Sequence, residues 1–144
     1  MKYDKNHALL ACAIPGLPVK SGKVRDVFDL GDKLLMVVTD RISAFDVILP
    51  SGVPGKGKVL NQLSLFWLEF FGMKNHLITA DVAEYPAELQ PYAEDLRGRS
   101  MLVRKVDMVP VECIARGYLT GSGWKEYAAK GTVNGEKLRP GYQN

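Results

Sequence analysis

An antiparallel β-hairpin is predicted at residues 24–39. Apolar and polar residues alternate from Val24 to Leu30, which predicts a half-buried strand. Gly31-Asp32 is a two-residue turn signal, and the apolar run from Lys33 to Thr39 predicts the second strand. A loop that contains glycine and lysine precedes the hairpin, so any fold for this chain must build outward from a short twisted sheet.

The other elements predict an α+β fold with a largely antiparallel sheet. Apolar residues at helical spacing, from Leu60 to Phe71, predict a buried helix over residues 59–71 with Trp67 in the core. Further helices are predicted within residues 1–18 and over 121–130. Strands are predicted at 47–49, 76–80, 101–107 and 109–115, a mobile loop at 50–58, turns or a broken helix at 81–99, and a hairpin turn at Asn134-Gly135.

The composition excludes several classes of protein. Of 144 residues, 47% are hydrophobic and 24% charged, which is typical of a globular chain and not of a disordered one. No apolar run approaches the roughly 18 residues of a membrane span, and no secretory signal is recognised. The net charge of +3 is too small for a nucleic-acid footprint. Cys12 and Cys113 lack metal-like spacing, which indicates apolar fillers in a reducing cytosol, and a cytoplasmic location is expected.

Three short segments could contribute to a ligand site, and each has an ordinary structural alternative. Gly22–Arg25 could approach a phosphate through its glycine and lysine, or could simply be the charged start of a strand. Asp40–Asp46 places polar groups at the end of an apolar strand, where either a ligand site or a capped turn would fit. Gly55–Lys58 could close over an anionic substrate or remain a solvated loop.

The segment Met108–Ser122 carries the strongest chemical signal. Glu112 lies in an apolar run and needs a partner, because a lone buried charge is costly. Arg116 offers bidentate recognition of a carboxylate or phosphate, and Ser122 lies at a predicted helix start. These residues predict a receptor for an anionic ligand, with a salt bridge and a helix cap as the structural alternative.

This segment resembles, without departure, a signature of the SAICAR synthetase (phosphoribosylaminoimidazole-succinocarboxamide synthase) family. The signature is two aliphatics, Pro, aliphatic, Glu, any residue, aliphatics, Arg, three residues, Thr or Ala, Gly, Ser. Gly22–Asp26, Asp40–Asp46 and Gly55–Asn61 also resemble the family's N-terminal segments, in the same order. The resemblance therefore covers essentially the whole chain.

The resemblance implies an ATP-dependent carbon–nitrogen ligase of purine biosynthesis. Such an enzyme joins L-aspartate to the carboxylate of carboxyaminoimidazole ribonucleotide through an acyl phosphate, with Mg²⁺ neutralising phosphate charge. The implied fold is a two-lobed, kinase-like and ATP-grasp-related one, with residues 1–104 as the phosphate-loop lobe and 105–144 as the start of a second, truncated lobe. Whether the protein forms a homo-oligomer is left open.

Site residues follow from the same resemblance. Lys23 and Arg25 would belong to the ATP phosphate loop, and Arg104 and Lys105 would lie where the adenine meets the strand that links the lobes. Arg116 would hold the ribonucleotide, supported by Glu112. The implied substrate-binding residues are Arg116, Ser122, Asp40, Ser43, Asp46, Lys58 and Glu112.

One family segment has no counterpart in these 144 residues. The pattern Asp-x-Lys-aliphatic-Glu-Phe-Gly supplies acidic groups for the metal, so the metal ligands are expected beyond residue 144 and the chain is expected to be an N-terminal fragment with little activity alone. Two alternatives stay open: a kinase-like phosphotransferase, and a non-catalytic nucleotide-binding or interaction module.

Overall fold

The computed structural model describes residues 1–111, 113–115 and 117–143, and it separates into two compact units, Met1–Asp107 and Met108–Asn144. Every strand pair in the described residues is antiparallel, which confirms the α+β class with antiparallel sheets.

A five-stranded sheet organises the first unit. Its strands lie in the order β3 (Val19–Ser21), β4 (Arg25–Asp29), β5 (Lys33–Val38), β9 (Ser100–Arg104) and β8 (Leu77–Thr79). Strands β4 and β5 form the predicted hairpin, with Arg25 opposite Val38 at one end and Asp29 opposite Leu34 at the other. The end that holds Arg25 is the end from which the Gly22–Arg25 loop emerges.

The two faces of this sheet have different surroundings, because successive side chains of a strand point to opposite faces. Phe28, Leu35 and Leu102 lie on one face, are at most 3% exposed, and pack in the main core. Residues from the N-terminal segment and from residues 82–96 complete that core. The alternate residues Met36, Val38 and Met101 lie on the other face and line a cleft.

The predicted helix within residues 1–18 is wrong. The segment forms strands β1 (Lys2–Tyr3) and β2 (Leu9–Ala11), followed by a turn. Two buried carboxylates from later in the chain bind its backbone: Asp40 accepts from the amide of Leu9, and Asp26 accepts from the amide of Cys12, each at 2.8 Å. These long-range carboxylates accept the hydrogen bonds that backbone carbonyl oxygens would have accepted in a helix.

Helix α1 (Lys56–Phe70) confirms the predicted helix but not its burial. It begins at Lys56, so the loop prediction for residues 50–58 is wrong in its last three residues. Trp67 is 48% exposed and Phe70 66% exposed, and the placement of Trp67 in the core is also wrong. The helix approaches the sheet through Gly57 and Asn61, its only buried residues. A helical period marks an apolar stripe but does not show what that stripe faces.

Short elements complete the first unit. Strands β6 (Ser43–Ala44) and β7 (Val47–Ile48) pair as a small hairpin. The predicted broken helix at residues 81–99 appears as 3-10 turns at Val82–Glu84 and Ala87–Tyr92, followed by α2 (Ala93–Leu96).

The second unit contains helix α3 (Gly121–Lys130) and the hairpin of β10 (Thr132–Val133) and β11 (Glu136–Lys137), as predicted. The Glu126 carboxylate joins them, accepting from the Thr132 hydroxyl and from the amides of Asn134 and Gly135. The strand predicted at 109–115 is wrong for its described residues, which pair with no strand; Val109 and Ile114 are 74% and 61% exposed. In the described part of the chain, no helix is long and apolar enough to cross a bilayer.

Candidate functional site

A buried arginine organises the loop that precedes β4. Arg41 follows the end of β5, is 8% exposed, and forms a bidentate ion pair with the fully buried Asp26 at 2.9 and 3.3 Å. Its guanidinium also donates to the carbonyl oxygens of Gly22 at 2.8 Å, Lys23 at 3.1 Å and Arg25 at 3.1 Å. The planar guanidinium thus fixes three carbonyl groups of one short loop.

The preceding residue, Asp40, ties together three other segments. Its carboxylate is fully buried and accepts from the amides of Leu9 and Gly57, each at 2.8 Å. It also pairs with the buried guanidinium of Arg99, at 3.1 and 3.2 Å. The amide of Gly57 belongs to the first turn of α1, where backbone donors lack helical acceptors. Asp40 therefore anchors the helix start and presents no carboxylate oxygen to a ligand.

The small hairpin brings Asp46 to the Gly22–Arg25 loop. The ammonium group of Lys23 lies 2.5 Å from the Asp46 carboxylate, although 23 positions separate them. Both side chains are largely exposed, and the Lys23 hydrogen bond lowers the pKa of Asp46 below its usual value. The structure thus joins a residue predicted for the phosphate loop with one predicted for the substrate side.

The turn that carries Asp46 is unusual. Phe45 and Asp46 have φ angles of 50° and 65°, in the left-handed region that residues other than glycine rarely adopt. Phe45 is fully exposed at this tip. Backbone strain of this kind is often retained near functional sites, and here it presents an aromatic ring and a carboxylate beside Lys23.

A cleft of about 740 Å³ lies between the sheet and helix α1. The sheet contributes Met36 and Met101, the helix contributes Leu63 and Trp67, and Arg25 lies in the lining at the loop end. This volume is within the range of small-molecule sites, and a mostly apolar lining with a few polar groups is typical of them. The cleft can therefore accept a flat apolar ring system, with a cationic loop beside it.

The other two residues predicted on the ATP side lie elsewhere on the sheet. Arg104 donates to the carbonyl oxygen of Asn75, and Lys105 pairs with Asp29 at 2.6 Å. Asp29 and Arg25 occupy opposite ends of β4, about 13 Å apart at the usual rise per residue. The structure therefore does not bring Arg104 and Lys105 together with Lys23 and Arg25.

The remaining predicted residues occupy several places. Ser43 is half-buried at the start of the small hairpin, and Lys58 is exposed on the first turns of α1, not in a loop. Ser122 is exposed in the first turn of α3, in the second unit. Glu112 and Arg116 lie outside the described residues.

The described residues offer no set of three or more His, Cys, Asp or Glu side chains placed to hold a metal ion.

One cation in the first unit is unusual: the Lys56 ammonium group is buried without a hydrogen-bond partner, and burial lowers its pKa.

Sequence reasoning did not identify Asp26, Arg41 and Arg99 as the charged framework of the site. The alternating pattern of the strand predicts that Asp26 is one of its polar, exposed positions, yet its side chain is fully buried and faces the core. The available signal was a charged pair, Asp40-Arg41, directly after the fully apolar end of a strand, which predicts burial with partners. The identity of those partners depends on tertiary packing.

Comparison with known proteins gives a consistent result. The SAICAR synthetase family pattern matches residues 18–143. Among curated relatives, the phosphoribosylaminoimidazole-succinocarboxamide synthase of Trichlorobacter lovleyi is 58% identical over 130 residues, which are 88% of this chain and 44% of the relative. The enzyme of the same name from Syntrophotalea carbinolica is 56% identical over 125 residues, 85% of this chain and 42% of the relative.

A solved structure shares the fold. The SAICAR synthase of Saccharomyces cerevisiae, in complex with SAICAR, superposes with a TM-score of 0.83 at 41% identity. The match covers 93% of this chain and 49% of that structure. The chain thus spans about half the length of the proteins it matches.

Proposed function

This chain belongs to the SAICAR synthetase family, and on that premise we propose that it supplies the ATP-binding surface, and part of the substrate-binding surface, of an ATP-dependent ligase of purine biosynthesis. The observation that carries this proposal is the apolar cleft that ends at the cationic Gly22–Arg25 loop. The adenine of ATP would enter the cleft against Met36 and Met101. Its phosphates would lie at Lys23 and Arg25, in the manner of a kinase-like phosphate loop.

The ligation would proceed in two steps. The carboxylate oxygen of carboxyaminoimidazole ribonucleotide attacks the γ-phosphorus of ATP, which gives an acyl phosphate and ADP. The amine of L-aspartate then attacks the acyl carbon, loses a proton and expels inorganic phosphate, leaving the amide. Lys23 and Arg25 would stabilise charge that builds on the transferred phosphoryl group.

Substrate-side roles remain proposals that follow from the family. Asp46 and Ser43 lie on the small hairpin beside Lys23, so they can meet a substrate close to the phosphates. Asp40 would act indirectly, through the helix start that it anchors. We further propose that Arg116 and Ser122 contribute to the ribonucleotide site.

The relatives' length bears on the activity of the chain itself. Because the acidic family segment has no counterpart in these residues, we propose that ligation also requires residues that the 144-residue chain does not contain. Formation of SAICAR by this chain at the rate of a longer relative would contradict that proposal.

Tryptophan fluorescence tests the nucleotide site directly. The chain has two tryptophans, and only Trp67 lines the cleft. In a Trp124→Phe variant, ATP should quench the remaining emission, and Lys23→Ala and Arg25→Ala should each weaken ATP binding. The Lys137→Ala variant, in the second unit, is the matched control and should bind as the parent does. The proposed site would be refuted if ATP did not quench the emission, or if quenching gave the same ATP affinity in both loop variants as in the parent.

A further inference from the structure

We infer that Arg41 is a positioning residue for triphosphate binding, a role that rests on the proposed function. Every nitrogen of the guanidinium is engaged, and three of its hydrogen bonds end on backbone carbonyl oxygens of the loop, at Gly22, Lys23 and Arg25.

The direction of these carbonyl groups fixes the direction of the neighbouring amides. In a trans peptide the C=O and the next N–H point to opposite sides, and no cis peptide occurs in the described chain. Because the carbonyls of Gly22 and Lys23 point to Arg41, the amides of Lys23 and Val24 point away from it. Successive amides turned the same way form a concavity that suits an anion.

The loop is also closed on itself and held at its tip. The Gly22 amide donates to the Arg25 carbonyl oxygen at 2.7 Å, which makes the tight bend. The Lys23 ammonium group pairs with Asp46, on the hairpin that begins two residues after Arg41. Arg41 thus holds the base of the loop and starts the segment that holds its tip. One residue sets the relative position of both ligand-facing segments.

Burial separates this role from direct binding. Arg41 is 8% exposed and its fork faces Asp26, so the guanidinium does not itself reach a ligand in the cleft. Its effect on a nucleotide passes through the loop backbone. The loss of Arg41 should therefore lower the affinity for a ligand more when that ligand carries more phosphate groups. The affinity for a ligand without phosphate should stay the same.

The test compares ATP with adenosine. Arg41→Lys keeps a positive charge for Asp26, but a single ammonium group cannot reach the three carbonyls that the planar fork reaches. We expect this variant to fold, to bind ATP at least about tenfold more weakly, and to bind adenosine within about twofold of the parent, by isothermal titration calorimetry of the 144-residue chain. The double variant Asp26→Asn/Arg41→Gln, which buries no net charge, should show the same selective loss and covers the case in which Arg41→Lys fails to fold.

The outcomes are distinguishable. If ATP and adenosine binding weakened equally, Arg41 would have only a general structural role and the inference would be overturned. Unchanged ATP affinity in a folded variant would do the same while leaving the proposed function intact. If the unsubstituted chain bound neither ligand, the proposed nucleotide site would fail first, and the role of Arg41 with it.

Discussion

Removal of the Asp40 carboxylate should strongly destabilise the first unit. Asp40→Ala leaves the Arg99 guanidinium buried without its carboxylate, and it deprives the amides of Leu9 and Gly57 of their acceptor. Breaking a buried ion pair by removing one partner costs about 3–5 kcal/mol. Each abandoned buried donor adds about 1–3 kcal/mol where water cannot reach it.

These contributions overlap, so we expect a loss of about 4 kcal/mol, against a total stability of about 5–15 kcal/mol for a domain. The assay is equilibrium urea denaturation followed by circular dichroism. Asp46→Asn is the matched control, because it removes an exposed carboxylate from an ion pair with Lys23 and should leave the midpoint unchanged.

A double-mutant cycle with Arg99→Met separates the ion pair from general packing. Because the double variant buries no unpaired charge, it should be more stable than the sum of the single losses predicts, by at least about 1.5 kcal/mol. A loss below about 1 kcal/mol for Asp40→Ala, or strict additivity in the cycle, would refute the reasoning.

Four further predictions rest on burial and packing. Burial raises the pKa of Cys12 to about 12 from 9.0, whereas Cys113 is exposed, so a thiol reagent at pH 8 should modify one cysteine in the native chain and two in urea. Because that pKa is raised in the folded state, the contribution of Cys12 to stability should be lost as the pH rises above about 9, which unfolding at pH 8 and pH 10 would reveal. Phe66 and Phe70 are 53% and 66% exposed and do not line the cleft, so the chain should self-associate in sedimentation velocity, and Phe66→Ser/Phe70→Ser should reduce that association without lowering Tm. A Cβ on residue 57 would lie 2.2 Å from a β5 carbonyl oxygen, so Gly57→Ala should cost at least about 1–3 kcal/mol in urea denaturation, and an unchanged midpoint would contradict the close approach.

Local patterns predicted the parts of the fold whose signals are local. The β4–β5 hairpin, the position of α1 and the α3–hairpin unit all depend on spacing, turn residues and helix stops within about 15 positions. The first 18 residues show where such patterns fail, because their amides bind carboxylates that lie 14 and 31 positions away. An apolar period also could not show that α1 leaves its aromatic residues exposed.

The candidate site was predictable to a similar degree. Glycine and lysine at residues 22 and 23 indicated a phosphate loop, and the structure brings Lys23 to Asp46 beside the cleft. Asp40 was predicted to bind substrate because of its charge. In the structure its carboxylate accepts hydrogen bonds from two backbone amides and pairs with Arg99. The role of Arg41 was not predicted, because it depends on six acceptor atoms in segments distant along the chain. No sequence motif identifies those acceptors.

Amide chemical-shift mapping with ATP tests the central claim most directly. In ¹H–¹⁵N spectra of the labelled chain, ATP should shift the amides of residues 22–25 together with those of Met36 and Met101, which lie along one continuous surface of loop and cleft. The rings of Tyr127 and Tyr142 contact each other in the second unit, and the amide signals of this aromatic cluster should not shift. Shifts confined to that cluster, or none in the loop and cleft at saturating ATP, would contradict the account.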